Sequence, residues 1–187
     1  MGELIKVAVD AMGGDNAPAE IIKGAIEAVN EHRNIVVILV GQQDIIEEEL
    51  KKYTYDTSQI NVKNATEIIE MAEPPVMAIR KKKDSSIVVG MNLVRNNEAD
   101  AFVSAGSTGA VLVGGQLIVG RIKGIERPPL APLIPTATGV SLLVDCGANV
   151  DARASHLVQF AKMGSIYMES IMGIPNPKVA IVNIGAE

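Results

Sequence analysis

The 187-residue chain is 48% hydrophobic, enough to enclose a packed core and too apolar for a disordered segment. Trp is absent and aromatic residues make up 3%, so the core is aliphatic, as in tightly packed α/β proteins rather than β-sandwiches. A net charge of −5, with no basic stripe interleaved with aromatics, argues against nucleic-acid binding, and the single cysteine, Cys146, rules out an internal disulfide.

Residues 5–9 form an apolar run ending at Asp10 and are predicted as a buried strand. A helix over 18–31 follows, with Pro18 in its first turn and Ile21, Ile22, Ala25, Ile26 and Val29 on one stripe. Residues 35–40 are a second strand, 45–52 a helix with Glu early and Lys late, and 60–62 a short strand. Residues 65–73 carry mixed signals, and Pro74-Pro75 reads as a break. Beyond Asp84-Ser85-Ser86, which offers helix caps, the pattern predicts a helix over 87–97, a strand over 101–104 and a helix over 107–120. Residues 121–129 read as a loop. The apolar runs 130–136 and 140–144 form either a hairpin about Thr138-Gly139 or two separate strands. A helix over 155–172 stops at Gly173, and 179–184 is a last buried strand.

Alternating strands and helices with continuous apolar strands predict a mostly parallel sheet covered by helices on both faces, a three-layer α/β/α arrangement. One domain over 1–187 is expected, incomplete at its C-terminus because the final strand has no covering helix after it. The longest apolar segment, 110–120, is broken by Gly114, Gly115 and Gln116, well short of the ~18 residues of a membrane span. With no charged-then-apolar leader ahead of residue 4, a cytoplasmic location is expected.

Three glycine-rich turns follow strands, where ligands bind in open α/β sheets. In Asp10-Ala11-Met12-Gly13-Gly14-Asp15, the glycines serve tight backbone geometry, and the flanking carboxylates orient a ligand, hold a helix N-terminus, or both. In Ser104-Ala105-Gly106-Ser107-Thr108-Gly109-Ala110, small residues let backbone amides approach an anion at the positive end of a helix, phosphate being the natural guest. N-capping by Ser107 is the plainer reading. The turn is neither a P-loop nor a dinucleotide fingerprint. In Asp145-Cys146-Gly147-Ala148-Asn149-Val150-Asp151, the polar side chains serve as ligand contacts or turn caps, with a magnesium site the weaker reading and no metal expected. Cys146, without a Cys-His motif, reads as a small core residue, and His156 reads either as a general base or as a local hydrogen-bonding group.

Arg80-Lys81-Lys82-Lys83 is the densest charge cluster in an acidic chain. Its default reading is a solvated helix face; alternatively its last lysine reaches a phosphate near the next helix while its neighbours face an acidic partner. Arg121, Lys123 and Arg127 invite the same two readings.

Taken together, 9–15, 80–86, 104–110, Val119-Gly120-Arg121-Ile122-Lys123-Gly124 and 145–151 resemble the bacterial phosphate acyltransferase family in order and spacing, as do 160–165 and Asn183-Ile184-Gly185. Ser107 stands where that family commonly has asparagine, and Cys146 where it commonly has an apolar residue. Family members continue well past the equivalent of Glu187. The resemblance implies a Rossmann-like fold related to phosphotransacetylases and isocitrate-dehydrogenase-like enzymes. It also implies acyl transfer from acyl carrier protein to inorganic phosphate, yielding acyl phosphate for a downstream glycerol-phosphate acyltransferase, with no cofactor. Asp10, Asp15, Lys83 and Asn149 are then expected in the catalytic group. Gly13, Gly14, Ser85, Ser86, Ser104, Gly106, Ser107, Thr108, Gly109, Asp145, Asp151 and Asn183 are expected around phosphate or substrate, and Arg121, Lys123 and Arg127 against the carrier protein. A peripheral homodimer on the inner membrane surface is further implied. The rivals are a nicotinamide-dependent dehydrogenase of related fold, which lacks its fingerprint here, and a non-catalytic carrier-protein or phosphate-binding module.

Overall fold

The computed structural model describes residues 4–147 and 151–183, in two compact units, Met1–Gly120 and Arg121–Glu187. The first contains β1 (Ile5–Asp10), α1 (Ala19–Glu31), β2 (Ile35–Gly41), α2 (Gln43–Leu50), β3 (Ile60–Asn64), α3 (Pro75–Lys81), α4 (Ser86–Arg95), β4 (Ala101–Val103) and α5 (Thr108–Gly114). Helix α5 runs on through a π-helical turn, Gly115–Val119, closed by the Gly120 N–H on the Gly115 carbonyl at 2.9 Å.

The four strands form a parallel sheet in the order β3-β2-β1-β4. Because side chains alternate along a strand, Val37 and Leu39 of β2 point to one face and meet Ile22, Ile26 and Val29 of α1 and Ile46 and Leu50 of α2. Val40 of β2 and Ala8 of β1 point to the other, where Leu93 of α4 covers them. Ile79 of α3 and Ala110 of α5 pack on Ile87, Val88 and Met91 of α4. The expected three-layer α/β/α architecture is therefore present, and its parallel strands are apolar on both sides because both sides are covered.

The chain steps outward from β1 to β2 to β3, then returns through α4 to place β4 on the free side of β1. Connections thus leave in opposite directions at the C-terminal ends of β1 and β4. Such a reversal opens a crevice between the two loops, the position at which open α/β sheets bind ligands.

Helix α3 is a departure from the sequence expectation. Pro75 occupies the first helical position, where its missing N–H costs nothing, and the Ala78 N–H closes the turn on the Pro74 carbonyl at 3.0 Å. In the second unit, β5 (Leu133–Thr136) and β6 (Gly139–Leu142) pair antiparallel, which selects the hairpin over separate strands, and α6 (Ala154–Ser170) follows. The strand expected over 179–184 is corrected: residues 179–183 form none, and Val179, Ile181 and Val182 are exposed. An extended apolar segment becomes a strand only by pairing, and these residues have no ladder partner among the described residues.

Candidate functional site

Asp10, the last residue of β1, is 1% exposed, and both its carboxylate oxygens are engaged. Oδ1 accepts the Met12 N–H at 3.1 Å, closing the first turn, and Oδ2 accepts the Ser104 hydroxyl at 2.7 Å. The Ser104 Oγ in turn accepts the Gly106 N–H at 3.0 Å. One buried carboxylate therefore fixes both turns at the point where the sheet reverses direction.

The glycines make this closure sterically feasible. A Cβ on Gly13 would stand 2.4 Å from Asp10 Oδ2 and 2.8 Å from the Gly106 nitrogen, and one on Gly106 would stand 3.3 Å from the Gly13 Cα. Gly14 has φ +108 and backs onto Ala105. Asp15 lies on the solvent side of the turn. Below the crevice, Met12 packs on Gly41, where a Cβ would fall 2.5 Å from the methionine Cγ.

Ser107 caps α5, its Oγ accepting the Ala110 N–H at 3.3 Å, and is buried, while the adjacent Thr108 is exposed. A Cβ on Gly109 would meet Pro75 Cγ at 2.6 Å, so the first turn of α5 is pressed against the first turn of α3. The turn thus offers small residues, a cap and the start of a helix, a combination suited to an anion.

Lys83, Ser85 and Ser86 belong to a second cluster, beyond β3. Ser85 caps α4 through the Val88 N–H at 3.4 Å and donates to the Lys82 carbonyl at 2.9 Å; both serines are buried. Asp84 reaches back to Thr66, accepting its hydroxyl at 2.6 Å and its N–H at 2.9 Å, which hold the Asp84 carboxyl below its ordinary value, the hydroxyl most. Lys82 donates at 2.5 Å to both the Ile68 carbonyl and Glu73, and that bond, followed by the Glu70 N–H, lowers the Glu73 carboxyl. The exposed Lys83 places its ammonium 3.2 Å from the Ile79 carbonyl. No hydrogen bond among the described residues joins this cluster to the turns around Asp10 and Ser104. The strap from 66–73 to 82–84 was not legible beforehand, because its polar partners lie in a stretch with mixed signals.

In the second unit, Asp145 follows β6 with φ +71, its N–H and that of Cys146 on the Leu130 carbonyl at 2.7 and 3.2 Å. Cys146 is half-buried, with Sγ 3.7 Å from the Leu143 carbonyl. Asp151 and Asn183 are exposed, and Asn149 lies outside the described residues. His156 is buried: its Nδ1 accepts the Arg153 N–H at 3.2 Å, which leaves the proton on Nε2 facing Glu126 Oε2 at 2.9 Å. Gln159 binds the same loop, accepting the Glu126 N–H at 2.9 Å and donating to the Gly124 carbonyl at 3.1 Å. His156 therefore serves a local hydrogen-bonding role here. Arg121 donates to the Glu126 carbonyl, and Lys123 is exposed.

An open depression lined by Leu50, Tyr53 and Tyr55 lies at the end of α2, and no expected site residue lines it. The glycine turns at 10–15, 104–110 and 145–147 instead follow strands β1, β4 and β6.

Residues 5–187 match the family described as fatty acid synthesis protein. A phosphate acyltransferase from Clostridium novyi (strain NT) is 51% identical over 183 residues, covering 98% of this chain and 55% of that protein. One from Desulfitobacterium hafniense (strain Y51) is 55% identical over 184 residues, covering 98% and 54%. The chain thus spans about half the length of the curated relatives it matches. Among solved structures, a phosphotransacetylase from Streptococcus pyogenes superposes with a TM-score of 0.66 at 19% identity, over 91% of this chain and 55% of that one. The EutD phosphotransacetylase from Staphylococcus aureus gives 0.62 at 20% identity, over 91% and 54%. These two show a shared fold. With a match running from the first strand onward and half of all aligned positions identical to named phosphate acyltransferases, the chain belongs to the fatty acid synthesis protein family.

Proposed function

We propose that this chain works in an acyltransferase that moves a fatty acyl group from the thioester of acyl carrier protein to inorganic phosphate, giving acyl phosphate for a glycerol-phosphate acyltransferase. The observation that carries the reading is the closure of turns 10–15 and 104–109 by Asp10 and Ser104 at the reversal point of the sheet, in a family whose named relatives are phosphate acyltransferases. Phosphate rests against the turn at 106–109 through the backbone amides of 107–109, with Thr108 adding a hydroxyl and the exposed Lys83 adding positive charge. Asp10, buried, acts through Ser104 as a positioning residue, and Asp15, exposed on the same turn, orients the ligand.

The dianion is already a nucleophile, so no acyl-enzyme is needed. A phosphate oxygen attacks the thioester carbonyl, backbone donors stabilise the tetrahedral oxyanion, and the C–S bond breaks as the thiolate leaves and takes up a proton. Arg121, Lys123 and Arg127 offer positive charge to the acidic carrier. In the same reading the enzyme is a homodimer working at the inner surface of the membrane.

The test is initial rate against phosphate concentration for Thr108→Asp and Ser107→Ala. Aspartate at exposed Thr108 suits a helix start and spares the fold, yet places negative charge at the cradle. The expected result is a raised phosphate KM for Thr108→Asp and a small effect for Ser107→Ala. Unaltered phosphate dependence in Thr108→Asp would place the anion elsewhere.

A further inference from the structure

Helix α3 exposes one continuous face. Val76 and Met77 are 45% and 47% exposed, Arg80 and Lys81 follow one turn later on the same side, and Ala78 and Ile79 face the core. Met71, 63% exposed on the preceding strap, adds a second flexible thioether. The surface cations of this acidic chain are paired where a carboxylate is near: Lys23 with Glu20, Arg33 with Asp56, Lys51 with Glu48, Lys52 with Glu49. Lys82 is likewise consumed, by Glu73 and the Ile68 carbonyl, and Lys83 turns back to Ile79. The side chains of Arg80 and Lys81 have no ion-pair or hydrogen-bond partner among the described residues, and α3 carries no acidic residue of its own. The face is therefore two cations beside adaptable apolar side chains.

We infer that the outer face of α3, from Val76 to Lys81, is where the acidic protein bearing the acyl thioester docks, through a helix that sets apolar residues on Val76 and Met77 and carboxylates on Arg80 and Lys81. This rests on the function proposed above. Placement favours it: Pro75 at the start of α3 lies against Gly109, so the docked partner stands beside the turn proposed to hold phosphate. Methionine suits the role because its flexible, polarisable side chain packs against varied partners, and the unpaired cations steer an acidic partner and fix its orientation. Two exposed apolar residues on a seven-residue helix are too few to anchor the chain in a lipid interface, which separates this surface from a membrane-binding one.

The experiment uses the longest natural chain containing this sequence. Binding to the apo carrier protein, which has no thioester, is measured for wild type, Arg80→Glu/Lys81→Glu, the milder Arg80→Gln/Lys81→Gln, Met77→Ser and Arg121→Glu/Lys123→Glu across a salt series. Turnover is measured separately with a small soluble acyl thioester. The charge reversal on α3 is expected to raise Kd by on the order of tenfold or more at low salt and to flatten its salt dependence. The glutamine pair should lie between, and small-thioester turnover should stay unchanged. Because the binding arm needs no chemistry, absence of acyl transfer in the wild type would reject the proposed reaction and leave docking separately readable. Unchanged carrier affinity in both α3 pairs overturns the inference. So does a carrier affinity lost only in Arg121→Glu/Lys123→Glu, or an α3 reversal that releases the protein from anionic vesicles while sparing the carrier.

Discussion

The Ser104 hydroxyl donates to the Asp10 carboxylate at 2.7 Å across a separation of 94 residues, joining the ends of β1 and β4. Ser104→Ala leaves a buried carboxylate oxygen and the Gly106 N–H without that partner, which should cost about 1–3 kcal/mol in urea unfolding. Ser104→Thr, which retains the hydroxyl, should recover part of the loss; equal losses in both would deny the bond its role.

Gly13→Ala and Gly24→Ala should move in opposite directions. The first drives a methyl group into Asp10 Oδ2 and the Gly106 backbone, an overpacking expected to cost about 1–3 kcal/mol and to disturb the crevice. The second meets nothing within 4 Å in the middle of α1 and should stabilise by about 0.4–1 kcal/mol. Thermal unfolding of the two variants provides the comparison.

The strap over 66–73 should loosen in acid. Asp84 and Glu73 have lowered carboxyl pKa values, so their contribution is present above the unfolded values of 3.8 and 4.5 and is lost as pH falls through the lower folded ones. The amide resonances of Thr66 and Glu70, which donate to these carboxylates, should each shift as pH falls through the lowered value of its partner. Asp84→Asn should abolish the Thr66 shift and leave that of Glu70; a Thr66 shift that persists would assign it to another group.

His156→Phe retains a ring in the buried space beside Phe160 but removes both hydrogen bonds. It should cost about 1–2 kcal/mol and speed hydrogen exchange at the Arg153 amide. Unchanged protection there would mean that the His156 bond does not hold the start of α6.

The layer pattern was legible because it is local. Ile22, Ala25, Ile26 and Val29 repeat at helical spacing, 35–40 is apolar throughout, and Ser85 stands where a cap is needed. The glycine turns were legible as turns. That the two of them close on each other through Asp10 was not, since nothing in either segment specifies which strand end will lie beside it. Helix α3 was hidden by Pro74-Pro75, whose second ring suits a helix start as well as a break. Residues 179–183 show the opposite failure: apolar character signals a strand, but only a partner makes one.

The order of strands also bears on how the crevice comes into being during synthesis. The core between the sheet and α1 and α2 uses only residues from 9 to 62 and can condense while the ribosome is still making the rest. Strand β4 must then add beside β1, the earliest of these four strands in the chain, so the Asp10 carboxylate waits for Ser104 across most of the first unit. Long-range closure of this kind is slow because the loop entropy is lost before the contact forms. In pulse-labelled refolding, amides of β2 should gain protection before those of β4 and the Gly106 amide, so that the ligand crevice matures after the core on α1 and α2.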